Sequence, residues 1–115
     1  MDAIYEKTLL YDFYGELLTE HRREIYEEVV FNDMSLSEAA TQYDISRQGI
    51  HDLIKKCDEA LKGYENKLHM VEQFSKIKTQ TDRLSADIAK VKSLTGDDRT
   101  RLNSSVEAIR TIISK

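Results

Sequence analysis

The chain has 115 residues, 40% hydrophobic and 33% charged, with no proline, four glycines, a single cysteine and a formal net charge of −4. That composition suits one compact helical domain plus an extension. It offers no run long and apolar enough for a membrane span, and Met1-Asp2-Ala3 followed by charged residues is unlike a signal peptide, so a cytoplasmic location without membrane insertion is expected. One cysteine excludes an internal disulfide, and Cys57 falls on an apolar stripe where it should be an inert core thiol.

In chain order, Tyr5, Leu9, Phe13 and Leu17 recur at four-residue steps, with Leu10 and Tyr14 beside them. This predicts a first amphipathic helix from Ile4 to Leu18, weakened at Gly15 by about 1 kcal/mol relative to alanine. Thr19 is placed to cap a second helix reaching about Asn32, with Ile25, Val29 and either Tyr26 or Val30 inward. The acids Glu24, Glu27 and Glu28 read as a solvated face of that helix.

The stretch from Ser35 to Lys56 has the pattern of a helix-turn-helix. Ser35 and Glu38 make a capping box that starts a short helix, with Met34 and Ala39 as a weak hydrophobic staple. Ala39-Ala40 offers small side chains for a close crossing, and Ala40 is the expected contact point. Tyr43-Asp44 ends the helix, since aspartate tolerates a left-handed backbone. Ile45 drops into the core and Ser46 caps the second helix. On that helix Ile50, Ile54, Cys57 and Leu61 face inward, leaving Arg47, Gln48, His51 and Lys55 outside. The expected core is Leu9, Phe13, Leu17, Ile25, Val29, Leu36, Ala40, Ile45, Ile50 and Ile54.

From Leu61 the apolar pattern continues through Tyr64, Leu68 and Val71, then slips phase at Phe74, which predicts a bend or boundary between Glu72 and Ser75. Two heptad stretches follow, Ile77, Thr81, Leu84, Ile88, Val91 and then Leu102, Val106, Ile109, Ile113, interrupted by Thr95-Gly96-Asp97. The expectation is an all-α protein with a helix-turn-helix domain over 1–75 and a C-terminal amphipathic helical hairpin over 76–115. The hairpin carries more apolar positions than two helices can bury against each other, so a homodimer held by this half is expected.

Charge is unevenly placed. Residues 1–57 hold 12 acidic and 6 basic side chains, whereas 58–115 hold 9 and 11. Duplex DNA is usually met by a basic face, because phosphate neutralisation supplies most non-specific affinity. Here the helix-turn-helix half is acidic, and the tail carries Lys76, Lys78, Arg83, Lys90, Lys92, Arg99 and Arg101. Candidate nucleic-acid contacts are therefore Ser46, Arg47, Gln48, His51 and Lys55 on the recognition helix and Lys76, Lys78, Arg83, Lys90 and Lys92 in the tail. Arginine to guanine and glutamine to adenine are the expected base pairings. An ordinary solvated face on a retained scaffold would carry the same residues.

Leu18-Thr19-Glu20, Ile25, Ser35-Leu36-Ser37-Glu38-Ala39-Ala40 and Ile45-Ser46-Arg47-Gln48 with Ile50 resemble region 4 of bacterial sigma-70 factors. With Leu10-Tyr11-Asp12-Phe13-Tyr14 and the later Tyr64-Glu65 and Lys67-Leu68, the chain is more similar to the YlxM family, small sigma-region-4-like proteins of the signal recognition particle pathway. The resemblance covers about residues 4–75. It implies an all-helical fold, no catalytic residues, and a tie to the particle's RNA, its GTPase, or both. Asp44 stands where many such turns have glycine, and His51-Asp52 where sigma factors tend to be basic, which argues against promoter readout.

No enzyme is expected: there is no Gly-rich phosphate loop, no nucleophile and base at a known spacing, and no carboxylate pair in an apolar run. His21, His51, His69 and Cys57 match no zinc pattern, so neither metal nor cofactor is expected. Two functions remain: a non-enzymatic accessory or regulator of the signal recognition particle pathway, or a sequence-specific DNA-binding transcriptional regulator using Arg47, Gln48 and His51.

Overall fold

The computed structural model describes residues 3–113, and all its regular elements are helical. The chain divides into two compact units, Met1–His69 and Met70–Lys115. In the first, α1 (Ala3–Tyr14), α2 (Glu20–Tyr26), α3 (Leu36–Tyr43) and α4 (Arg47–Leu68) gather round α4, against which α1, α2 and α3 all pack. In the second, α5 (Met70–Lys90) packs along α6 (Gly96–Ile113).

The buried side of α1 is Leu9, Leu10 and Tyr14, continued by Leu18, rather than the series ending at Leu17. After Tyr14 the chain tightens into a 3-10 turn over Gly15–Leu17, closed by the Leu18 N–H donating to the Gly15 carbonyl at 3.1 Å. At three residues per turn, that segment carries Leu17 outward to 54% exposure and Leu18 inward to 7%. Tyr5, at the other end of the expected stripe, is also exposed. Gly15 is required by space: a Cβ there would come within 2.9 Å of the Tyr11 ring.

Thr19 caps α2 as expected, its hydroxyl accepting from the Arg22 N–H at 3.3 Å. The helix then widens into a π turn over Glu27–Phe31, and Ile25 and Tyr26 are the two fully buried residues of this element. Glu24, Glu27 and Glu28 do more than face solvent. Glu27 accepts from the Tyr11 hydroxyl, Glu24 from that of Tyr43 at 3.3 Å, and Glu28 from the Asn32 amide at 3.0 Å.

These bonds belong to a recurring device. Tyr26 donates to Asp58 and Tyr14 donates to Glu65, each at 2.6 Å, so tyrosine hydroxyls tie α1 and α2 to the length of α4. Burial and the Asp58 carboxylate together push the Tyr26 hydroxyl pKa well above its usual value; burial, then the bond to Glu27, raises that of Tyr11. Tyr11 stacks on Tyr26 at 5.6 Å between ring centroids, and Phe31 packs against both. The Tyr11, Tyr26 and Phe31 rings thus form one packed structural cluster.

A second cluster lies under the helix-turn-helix: Ile25, Ala39 and Ile50, with Val29, Met34, Leu36, Ala40, Tyr43, Ile45, Leu53 and Ile54 against it. The small residue at the crossing is Ala39, which is wholly buried, rather than Ala40, which is only half-buried. Leu36, Ala39 and Tyr43 share one helical face, and Ala40 is rotated about 100° from Ala39. Cys57 is fully buried on α4, and burial pushes its thiol pKa up, so little thiolate is present.

The break between the units falls at His69, before the Glu72 to Ser75 stretch. His69 is left-handed (φ 55°), and its N–H donates to the Glu65 carbonyl at 2.9 Å, ending α4. In the second unit Thr81, Ile88 and Val106 are buried along the seam. Arg99, which the sequence groups with the basic tail, is instead tied down. Its guanidinium donates to the carbonyls of Ile88 and Val91, both at 2.6 Å, satisfying backbone acceptors at the end of α5. Thr95 caps α6 by accepting from the Asp98 N–H at 3.0 Å.

Candidate nucleic-acid interface

The first turn of α4 is placed by three local signals. The Ser35–Glu38 capping box is formed in both directions, fixing the start of α3. Asp44 takes the left-handed conformation (φ 53°), and the Ile45 N–H donates back to the Ala40 carbonyl at 3.1 Å. Ser46 then caps α4, its hydroxyl accepting from the Gly49 N–H at 2.9 Å. Gly49 is needed because a Cβ would stand 2.7 Å from the Ile45 Cγ2 and 3.0 Å from the cap oxygen.

With that turn anchored, Arg47, Gln48 and His51 line a shallow cleft together with Leu36, and Lys55 continues the outer line at the i, i+4, i+8 spacing set by Arg47 and His51. All four outer side chains are exposed. The face is not simply basic. Gln48 donates its amide N–H to Asp52 Oδ1 at 2.9 Å, and the same oxygen lies 3.7 Å from His51 Nδ1. Asp52 therefore sets the orientation of Gln48 and places a carboxylate beside His51 on the exposed side of α4. The i, i+4 spacing of Gln48 and Asp52 was the available signal for this pairing. Ser46 takes part through its cap.

The tail residues lie in the other unit. Lys76 pairs with Glu72 at 3.2 Å and Lys78 with Asp82 at 3.5 Å. Asp82 also accepts from Arg110 at 2.9 Å, and the guanidinium beside it holds its carboxyl below the usual range. Arg83, Lys90 and Lys92 are exposed with no such ion pair among the described residues. Arg83 and Lys90 are seven residues apart on α5, about 10.5 Å along one face, while Lys92 follows the helix end. Among the described residues no three His, Cys, Asp or Glu side chains converge as a metal site, and no helix is long and apolar enough to cross a membrane.

The model of the UPF0122 family, described as "Putative helix-turn-helix protein, YlxM / p13 like", matches residues 1–99. The chain belongs to this family. Among UPF0122 proteins, that of Acetivibrio thermocellus is 38% identical over 115 residues, covering 98% of both chains. That of Thermoanaerobacter sp. (strain X514) is 44% identical over 81 residues, 70% of this chain and 69% of its own. The UPF0122 protein of Listeria innocua is 38% identical over 91 residues, covering 76% and 83%. No solved structure matches. The fold of this UPF0122 chain is the all-helical helix-turn-helix that the sequence pattern predicts.

Proposed function

We propose that this protein is a non-enzymatic helix-turn-helix component of the bacterial signal recognition particle pathway, where it binds the particle's RNA, its GTPase, or both. The similarity of its helix-turn-helix half to YlxM proteins supports the pathway. The observation that carries the choice of ligand class is Asp52. Its carboxylate sits beside His51 and holds the Gln48 amide, so the exposed face of α4 meets duplex phosphates with one repulsive charge and one base-reading side chain already engaged. The exposed cations Arg83, Lys90 and Lys92 of the second unit suit a phosphate backbone better than this face does.

The test is a comparison of ligands across a salt series: the particle's RNA, its purified GTPase, and a set of duplex DNAs. Salt-dependent binding to the RNA, or saturable binding to the GTPase, without preference among duplexes, is the expected result. A single preferred operator duplex, lost on Arg47→Ala or Gln48→Ala, would overturn it in favour of a transcriptional regulator.

A further inference from the structure

Every joint between consecutive α-helices is written by a Ser or Thr cap, except the one between α4 and α5. Thr19, Ser35, Ser46 and Thr95 each accept from a backbone N–H of the helix that follows. Between Leu68 and Met70 stands one residue, His69, left-handed at φ 55° and ψ 29°. Histidine is not a capping residue type, and no glycine or proline stands between Gly63 and Gly96 to stop a helix there. The apolar pattern runs through the joint as well: Ile54, Cys57, Leu61, Tyr64, Leu68 and Val71 alternate at steps of three and four residues. Residue preferences thus favour helix at a position where the backbone leaves it. A left-handed residue other than glycine persists only while its surroundings outweigh its cost, and such positions recur at switches.

We propose that His69 is a two-state joint, at which α4 and α5 interconvert between the broken form and one continuous helix from Arg47 to Lys90. Turning His69 alone into the right-handed region joins the two, because its N–H already bonds the Glu65 carbonyl four residues back, as it would inside a helix. The N–H groups of residues 70–73 then meet the carbonyls of residues 66–69 in the same register. Leu68, His69 and Met70 are all exposed, so the change takes no side chain out of the first unit's core. A ligand that touches both helices biases the joint by its difference in affinity for the two forms. The device is a property of the free chain and stands whether or not the protein binds RNA or a GTPase.

Spin labels on Glu59→Cys and Gln80→Cys read the joint in the full chain, diluted with unlabelled protein so that only distances within one chain count. Cys57 is fully buried and escapes labelling. A continuous helix sets the two labelled backbone positions about 32 Å apart, at a rise of about 1.5 Å per residue. The parent should show that distance beside the one of the broken form. His69→Gly removes the left-handed cost and disfavours helix, so it should lower the ratio of continuous to broken chains about tenfold. His69→Ala, with the better helix former, should raise the ratio about threefold. Both changes fall on an exposed side chain, so both variants should keep the parental fold. No continuous population in either the parent or His69→Ala would overturn the proposal, and so would a ratio that is the same in all three proteins.

Discussion

The Tyr26 hydroxyl donates to Asp58 Oδ1 at 2.6 Å from a fully buried ring, and Lys7 approaches the other carboxylate oxygen at 3.4 Å. One residue from each of α1, α2 and α4 thus meets at a single carboxylate. Tyr26→Phe should lower unfolding free energy in urea by about 1.5 kcal/mol, the low end for a hydrogen bond to a charged group, because Asp58 keeps Lys7 and some water. A variant with parental stability would show that the bond contributes nothing net.

The same pair contributes to the pH dependence of stability on the alkaline side. A phenol whose pKa is raised in the folded state favours its protonated form there, so its contribution is complete below the unfolded value near pH 10 and is lost as pH climbs through the folded value. Stability should therefore fall above about pH 10. Tyr26→Phe should flatten that fall, which pH-dependent urea midpoints would reveal.

Ala39→Leu should overpack the α3–α4 crossing and cost about 1–3 kcal/mol or more, with Ala40→Leu costing less. Equal melting temperatures for the two variants would contradict the assignment of Ala39 to the crossing.

Gly49→Ala offers a test in which two effects oppose each other. Alanine improves helix propensity by about 1 kcal/mol, yet its Cβ would press on Ile45 and the Ser46 cap. The net change is expected to be destabilising, since the methyl it meets belongs to a residue packed on the core. A stabilised variant in thermal melts would mean the turn can relax.

In nucleic-acid binding, reversal of Arg83, Lys90 and Lys92 should flatten the salt slope by about 0.7 to 0.9 for each phosphate that is no longer neutralised. Lys76→Glu and Lys78→Glu should do less, because each cation is already shared with a neighbouring acid. Equal effects from both sets would argue against this ranking.

What the sequence disclosed was what local chemistry decides. The capping box at Ser35 and Glu38, the left-handed Asp44 and the Ser46 cap are set by residues within a few positions of one another, so the helix-turn-helix could be read directly. Leu17 faces outward because the stretch it lies in winds at three residues per turn, where a 3.6-residue period would bring it inward. Ala39 and Ala40 are alike in sequence, and only the facing helix distinguishes the buried Ala39 from the half-buried Ala40. The roles of Glu24, Glu27 and Glu65 depend on tyrosines 16 to 51 residues away, which no local pattern reveals. At the candidate interface, exposure of Arg47, Gln48, His51 and Lys55 followed from helix phase alone. The capture of Gln48 by Asp52 needed the rotamers, and the withdrawal of Arg99 needed the hairpin.

The π turn at Glu27–Phe31 gives this part of the chain room for one particular change in length. Its wider winding holds one residue more than a regular helix would between the Tyr26 anchor and the Ser35 cap. A one-codon deletion within it would relax the segment to ordinary helix with its two ends in nearly the same phase, whereas a further change in length would turn them about 100° relative to each other. Point substitutions at the exposed positions of this helix and a single deletion within the π turn should be accepted, whereas insertions between Tyr26 and Asn32 should be purged from any functional library.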